Sequence, residues 1–87
     1  MKLKTYLHSE PTLEQAQDFV DGFVQIIDLK NGDCMILNED GKIKELSQNL
    51  QAQKIWDESF GEGTDYIVGH VIIIKKSARR EWWDVSR

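Results

Sequence analysis

Apolar positions recur along this chain at two spacings, and the spacing changes where turn-forming residues stand. From Leu13 they return at Ala16, Phe19 and Val20, the repeat of one helix face; Thr12 and Gln15 stand at capping-box separation before them and Gly22 ends the run. A short amphipathic helix is predicted there. The pattern then shortens. Phe23-Val24-Gln25-Ile26-Ile27-Asp28-Leu29 leads to Lys30-Asn31-Gly32-Asp33, Cys34-Met35-Ile36-Leu37 follows, and Glu39-Asp40-Gly41 leads into Lys42-Ile43-Lys44-Glu45-Leu46. Asn31-Gly32 and Asp40-Gly41 supply the positive φ angles of tight hairpin turns, so a three-stranded meander is predicted. Within its first strand Val24 and Ile26 share one face, and Ile27 and Leu29 the other. A strand apolar on both sides lies between two apolar layers or at a subunit contact.

Around this stretch, Lys2 to Leu7 forms a weaker strand pattern. Ser47-Gln48-Asn49 precedes Leu50, Ala52, Ile55 and Trp56, with Asp57 and Glu58 outside, which predicts a second short helix capped by Ser47 or Asn49. Gly61-Glu62-Gly63-Thr64-Asp65 reads as a loop. Tyr66 to Ile74 is the strongest strand pattern, β-branched at Ile67, Val68, Val71, Ile72, Ile73 and Ile74, with Gly69 marking a bend or a close backbone approach. The tail, Lys75 to Arg87, fits a short helix, a last strand around Trp82-Trp83-Asp84-Val85, or a loop. No repeat or linker divides the chain, so residues 1–87 read as one domain.

Size narrows the possibilities. A chain of 87 residues buries only roughly 60–65% of its unfolded surface. The lone Cys34 cannot form an internal disulfide, and no metal-ligand spacing is present, so association between copies is the expected stabiliser. Val71 to Ile74 is far too short to span a bilayer and no apolar run follows Met1-Lys2-Leu3-Lys4; a cytoplasmic protein without a membrane partner is expected. Fifteen acidic and eleven basic residues give a net charge of −4, which opposes generic attraction to nucleic acid. The cations are not evenly spread: Lys75, Lys76, Arg79, Arg80 and Arg87 crowd the end of the chain.

Candidate chemistry is sparse. Cys34 has the setting of a buried small hydrophobe, not of a nucleophile. His8 and His70 are far apart, with no Cys or carboxylate at ligand spacing. Asp57, Glu58, Glu62 and Asp65 lack the spacing of a calcium loop, and Gly61-Glu62-Gly63 is followed by nothing basic that would cradle phosphate. A non-enzymatic protein without cofactor or metal is therefore expected. Lys75, Lys76, Arg79 and Arg80 with Trp82 and Trp83 have the composition of a single-strand binding platform, in which cations track phosphates and indoles stack on bases. The same residues also suit a snorkelling basic edge and a pair of tryptophans packed on another subunit.

Two resemblances add to this. The succession of a helix, Gly22-Phe23-Val24-Gln25-Ile26, Asn31-Gly32, Asn38-Glu39-Asp40-Gly41-Lys42, Asn49 with Ala52, and Ile67-Val68-Gly69-His70-Val71 resembles a family of small uncharacterised proteins of tailed phages, frequent in cyanophages and marine viral sequences. Membership implies a phage origin, hence the host cytoplasm, and transfers no activity. Val24-Gln25-Ile26-Ile27-Asp28-Leu29-Lys30-Asn31-Gly32 is similar to the first strand and turn of Sm-like proteins, and Ile67-Val68-Gly69-His70-Val71-Ile72 to their second signature, although Val68 stands where arginine is usual. That resemblance implies a mainly β fold: an N-terminal helix, then a strongly bent antiparallel sheet closed into a small Sm/SH3-like barrel and assembled as a homo-oligomeric ring. The expected function is then binding of RNA or another phosphate-bearing ligand. The alternative is an interaction or sequestering module acting on a host protein or a small signalling nucleotide.

Overall fold

The computed structural model describes residues 1–80. In chain order its elements are β1 (Leu3–Tyr6), α1 (Leu13–Val20), β2 (Val24–Asp28), β3 (Cys34–Asn38), α2 (Leu50–Phe60), β4 (Val71–Ile74) and a 3₁₀ turn (Lys76–Ala78). The four strands form one sheet in the order β1-β4-β3-β2. β2 pairs antiparallel with β3 and β3 with β4, whereas β1 runs parallel to β4.

Alternation along the strands builds two cores. Cys34, Ile36, Ile72 and Ile74 face α1 and pack with Ala16, Val20 and Ala78. Met35, Leu37, Val71 and Ile73 face the other way and pack with Ala52, Leu29 and Ile67, flanked by Ile55, Trp56 and Phe60 of α2. Strands buried on both faces need apolar residues at every position, and β3 and β4 are buried throughout. This is an open α/β sandwich, with one helix on each face.

The expected Sm/SH3-like barrel is thereby corrected. A strand precedes the first helix, one strand pair is parallel, and the sheet does not close. The physical reason lies in the doubly apolar strands: a small closed barrel has one buried face, while this sheet has two. The third meander strand is also corrected, because residues 40–45 form turns. Gly41 does not have positive φ; Glu45 takes the left-handed conformation instead, at φ 55°. Asp40-Gly41 is thus not a hairpin turn, and its Gly41 N–H donates to Asn38 O at 3.2 Å. Asn31-Gly32 does turn the β2–β3 hairpin, with Gly32 at φ 93° and the Asn31 side chain accepting from Asp33 N–H.

Caps set the helices. Thr12 and Gln15 form the reciprocal capping box of α1, and the chain leaves it through Asp21 in the left-handed region, ahead of Gly22. Asn49, not Ser47, caps α2 by accepting from Ala52 N–H. The long strand expected over Tyr66 to Ile74 is confined to β4, since Gly69 at φ 81° breaks it. β4 is central, so its isoleucines cannot pair with another subunit's edge.

Candidate functional site

The basic C-terminal segment is largely tied to the β2–β3 hairpin. Lys75 Nζ lies 2.6 Å from Asp33 Oδ2, and Lys76 N–H donates to Asp33 Oδ1 at 2.8 Å. Asp33 is buried. Burial alone would raise its pKa, yet the hydrogen bonds from Lys75 and Lys76, the Lys75 charge and the Asn31 amide together hold it below the usual carboxylate range. Arg79, fully buried, donates to Asp28 Oδ1 at 2.6 Å and to Gly32 O at 3.0 Å. Arg80 is exposed, and its backbone N–H donates to Glu10. Of the six residues expected to form a platform, Lys75 and Arg79 thus have their charges engaged by carboxylates, and Trp82 and Trp83 lie outside the described residues.

A free sheet edge stands next to this cluster, and no local sequence motif distinguishes it. Glu39 N–H donates to Phe23 O and Leu29 N–H to Asp33 O, both at 2.9 Å, which fixes the narrow pairs of the β2–β3 ladder at the odd positions of β2. The N–H and C=O groups of Val24, Ile26 and Asp28 therefore point away from β3. Among the described residues nothing pairs with them. β2 carries no lysine or proline, and Val24, Ile26 and Ile27 are half-buried along it. The opposite edge differs: β1 has only four residues, with Lys4 exposed on it and Lys2 exposed just before it, which discourages pairing.

Beside β2, on the α2 side of the sheet, a cleft of about 150 Å³ opens between the hairpin, the residue 39–43 turn and the 65–68 segment. Ile27, Leu37, Trp56 and Ile67 give it apolar walls, with Gln25 at the β2 rim. At the mouth, Lys42 pairs with Asp65 and sits 4.4 Å from the Tyr66 ring centre, while Ile43 is 83% exposed. The Lys42 hydrogen bond, opposed by burial, lowers the Asp65 pKa, with further help from Tyr66 N–H. Trp56 is held in place by donating Nε1–H to Thr64 Oγ1 at 2.7 Å.

Reactive groups are not assembled anywhere near. Cys34 is buried in the sheet, and burial pushes its thiol up to about 11, far from a nucleophilic thiolate. His70 Nδ1 accepts from Lys2 N–H at 3.0 Å. Among the described residues no group of His, Cys, Asp and Glu is placed to hold a metal ion, and no helix is long and apolar enough to cross a membrane.

A family model described as a domain of unknown function matches residues 2–87. No curated protein and no solved structure matches the chain.

Proposed function

The chain belongs to the DUF3846 family, a domain of unknown function, and from its geometry we propose a non-catalytic interaction module that takes an extended polypeptide segment as an added strand along β2. Supporting this is the outward row of backbone groups at Val24, Ile26 and Asp28, whose first two side chains are apolar and whose single charge, on Asp28, is engaged by Arg79. Main-chain hydrogen bonds would supply affinity. Alternate side chains of the added strand would lie beside Gln25 and Ile27, and one of them would enter the cleft against Trp56 and Tyr66. RNA is not the ligand we favour, because Asp33 and Asp28 already engage two of the four cations expected to track phosphates. Phage origin is kept as a proposal, supported by the residue pattern alone.

Selection of random peptides long enough to span β2, followed by amide-exchange mapping, tests the proposal. Selected peptides are expected to slow exchange at Val24, Ile26 and Asp28 and to lose affinity at least tenfold against Ile26→Pro. Proline there removes an outward N–H and no bond to β3. Peptides that bind while those three amides exchange freely refute it.

A further inference from the structure

Resting on that strand-addition reading, we propose that the added strand is β2 of a second copy of this chain, antiparallel to the first about a two-fold axis at Ile26, so that two sheets become one.

The backbone sets this register. With Ile26 opposite Ile26 of the second copy, Val24 falls opposite Asp28 and Gln25 opposite Ile27, so every outward-facing residue of β2 is hydrogen-bonded. Moving the axis to Gln25 or Ile27 leaves Asp28 or Val24 without a partner inside the strand. A two-fold contact requires a self-complementary edge, and this edge meets that condition in its side chains too. The half-buried Val24 and Ile26 gain cover on the α1 side, and Ile27 comes to lie beside Gln25 at the rim of the other copy's cleft.

Charge favours the antiparallel sense. At the start of β2 stand Asp21, Glu39 and Asp40 with Lys44 as their counter-charge. At its end, Lys30 is exposed in a recess that Glu58 also lines and Lys76 packs over Gly32, while the Asp33 and Asp28 carboxylates are already matched by Lys75 and Arg79, which leaves an excess of one positive charge among these groups. The acidic end of each copy thus meets the basic end of the other, with Lys30 opposite Gly22 and next to Asp21. Such complementarity selects orientation and register. A small core and an unpaired edge are both relieved by the same contact.

Sedimentation and amide exchange on the wild-type protein over a dilution series test the proposal. A dimer is expected at micromolar concentration, with Val24, Ile26 and Asp28 amides protected in it and exposed on dilution, while Gln25 and Ile27 stay protected throughout. Ile26→Pro should be folded and monomeric, and Lys30→Glu should raise the dissociation constant severalfold, as should added salt. If Ile26→Pro does not fold, the wild-type dilution series decides. A monomer at tens of micromolar overturns the self-pairing, including the case in which the three amides are protected to the same degree at every concentration. A monomer that still captures peptides at those three amides ends self-pairing and leaves strand addition standing; a dimer in which they exchange freely overturns the self-pairing, and strand addition falls with it only if bound peptides leave those amides exchanging freely too.

Discussion

The guanidinium of Arg79, wholly buried, donates Nη2–H to Asp28 Oδ1 at 2.6 Å, although the aspartate side chain is half exposed. The pair ties the segment after β4 to the end of β2, across the top of the sheet. Removing the carboxylate takes a charged hydrogen bond away from a buried guanidinium, a loss larger than that of an exposed pair. Asp28→Ala should therefore lower stability by about 1–3 kcal/mol, a fall in Tm of roughly 5–15 °C for a chain of this size. Arg79→Met, which removes the charge together with its need for a partner, should cost less than Asp28→Ala. Thermal melts of both variants check the ranking, and equal losses would refute it.

Asn49 holds three parts of the chain together. Its Oδ1 caps α2 through Ala52 N–H, and its Nδ2 donates to Lys2 O and Gly69 O at 3.0 and 2.9 Å. The side chain is fully buried. Asn49→Asp keeps the capping acceptor and loses both donors, turning a carboxylate towards two carbonyl oxygens. Denaturant titration should show a loss of about 2–4 kcal/mol. A loss under about 1 kcal/mol would mean that the cap alone matters.

Local signals were legible in the sequence, and the assembly of the sheet was not. Thr12 with Gln15 and the stripe through Val20 gave α1, and Asn31-Gly32 gave the hairpin, because each depends on neighbours within a few residues. Lys42 to Leu46 misled through Asp40-Gly41: the Asn38 side chain accepts from Asp40 N–H, its Nδ2 donates to Val20 O and Asp21 O, and the chain is held in turns. The two-sided apolarity of β2 carried the decisive information, and its first reading, two apolar layers, describes the sandwich. The parallel pairing of β1 with β4 joins residues almost a chain length apart, beyond any local pattern. The β2 edge was equally hidden, since exposure of an edge follows from strand order. The basic tail drew attention by composition, whereas its partners Asp28 and Asp33 lie more than forty residues away in sequence.

Gly69 should be less replaceable than Gly63. It stands at φ 81°, and an added Cβ would come within 2.9 Å of Leu46 Cδ1. Gly63, at φ 77°, has nothing within 4 Å of that position. Both substitutions carry the left-handed backbone cost of about 1–2 kcal/mol, and only Gly69 adds a steric one. Gly69→Ala should lower Tm more than Gly63→Ala, and Gly69→Val more than either. Matching melting curves for Gly69→Ala and Gly63→Ala would show that Leu46 moves aside freely.

Stability at acid pH should be governed in part by Asp33. Lys75 Nζ and Lys76 N–H hold its ionised form, so its pKa in the folded chain lies below the ordinary 3.8. A carboxylate lowered on folding stabilises the fold fully above its unfolded value and loses that contribution as pH falls through the folded one. Wild type and Asp33→Asn should therefore differ most near neutrality, by about 1 kcal/mol, and converge below about pH 3. Urea titrations at several pH values measure the difference. Lys75→Gln provides the control, because in its background the pH dependence of the Asp33→Asn difference should shrink. A difference that stays constant from neutrality to acid would show that Asp33 acts through its hydrogen-bond geometry and not through its charge.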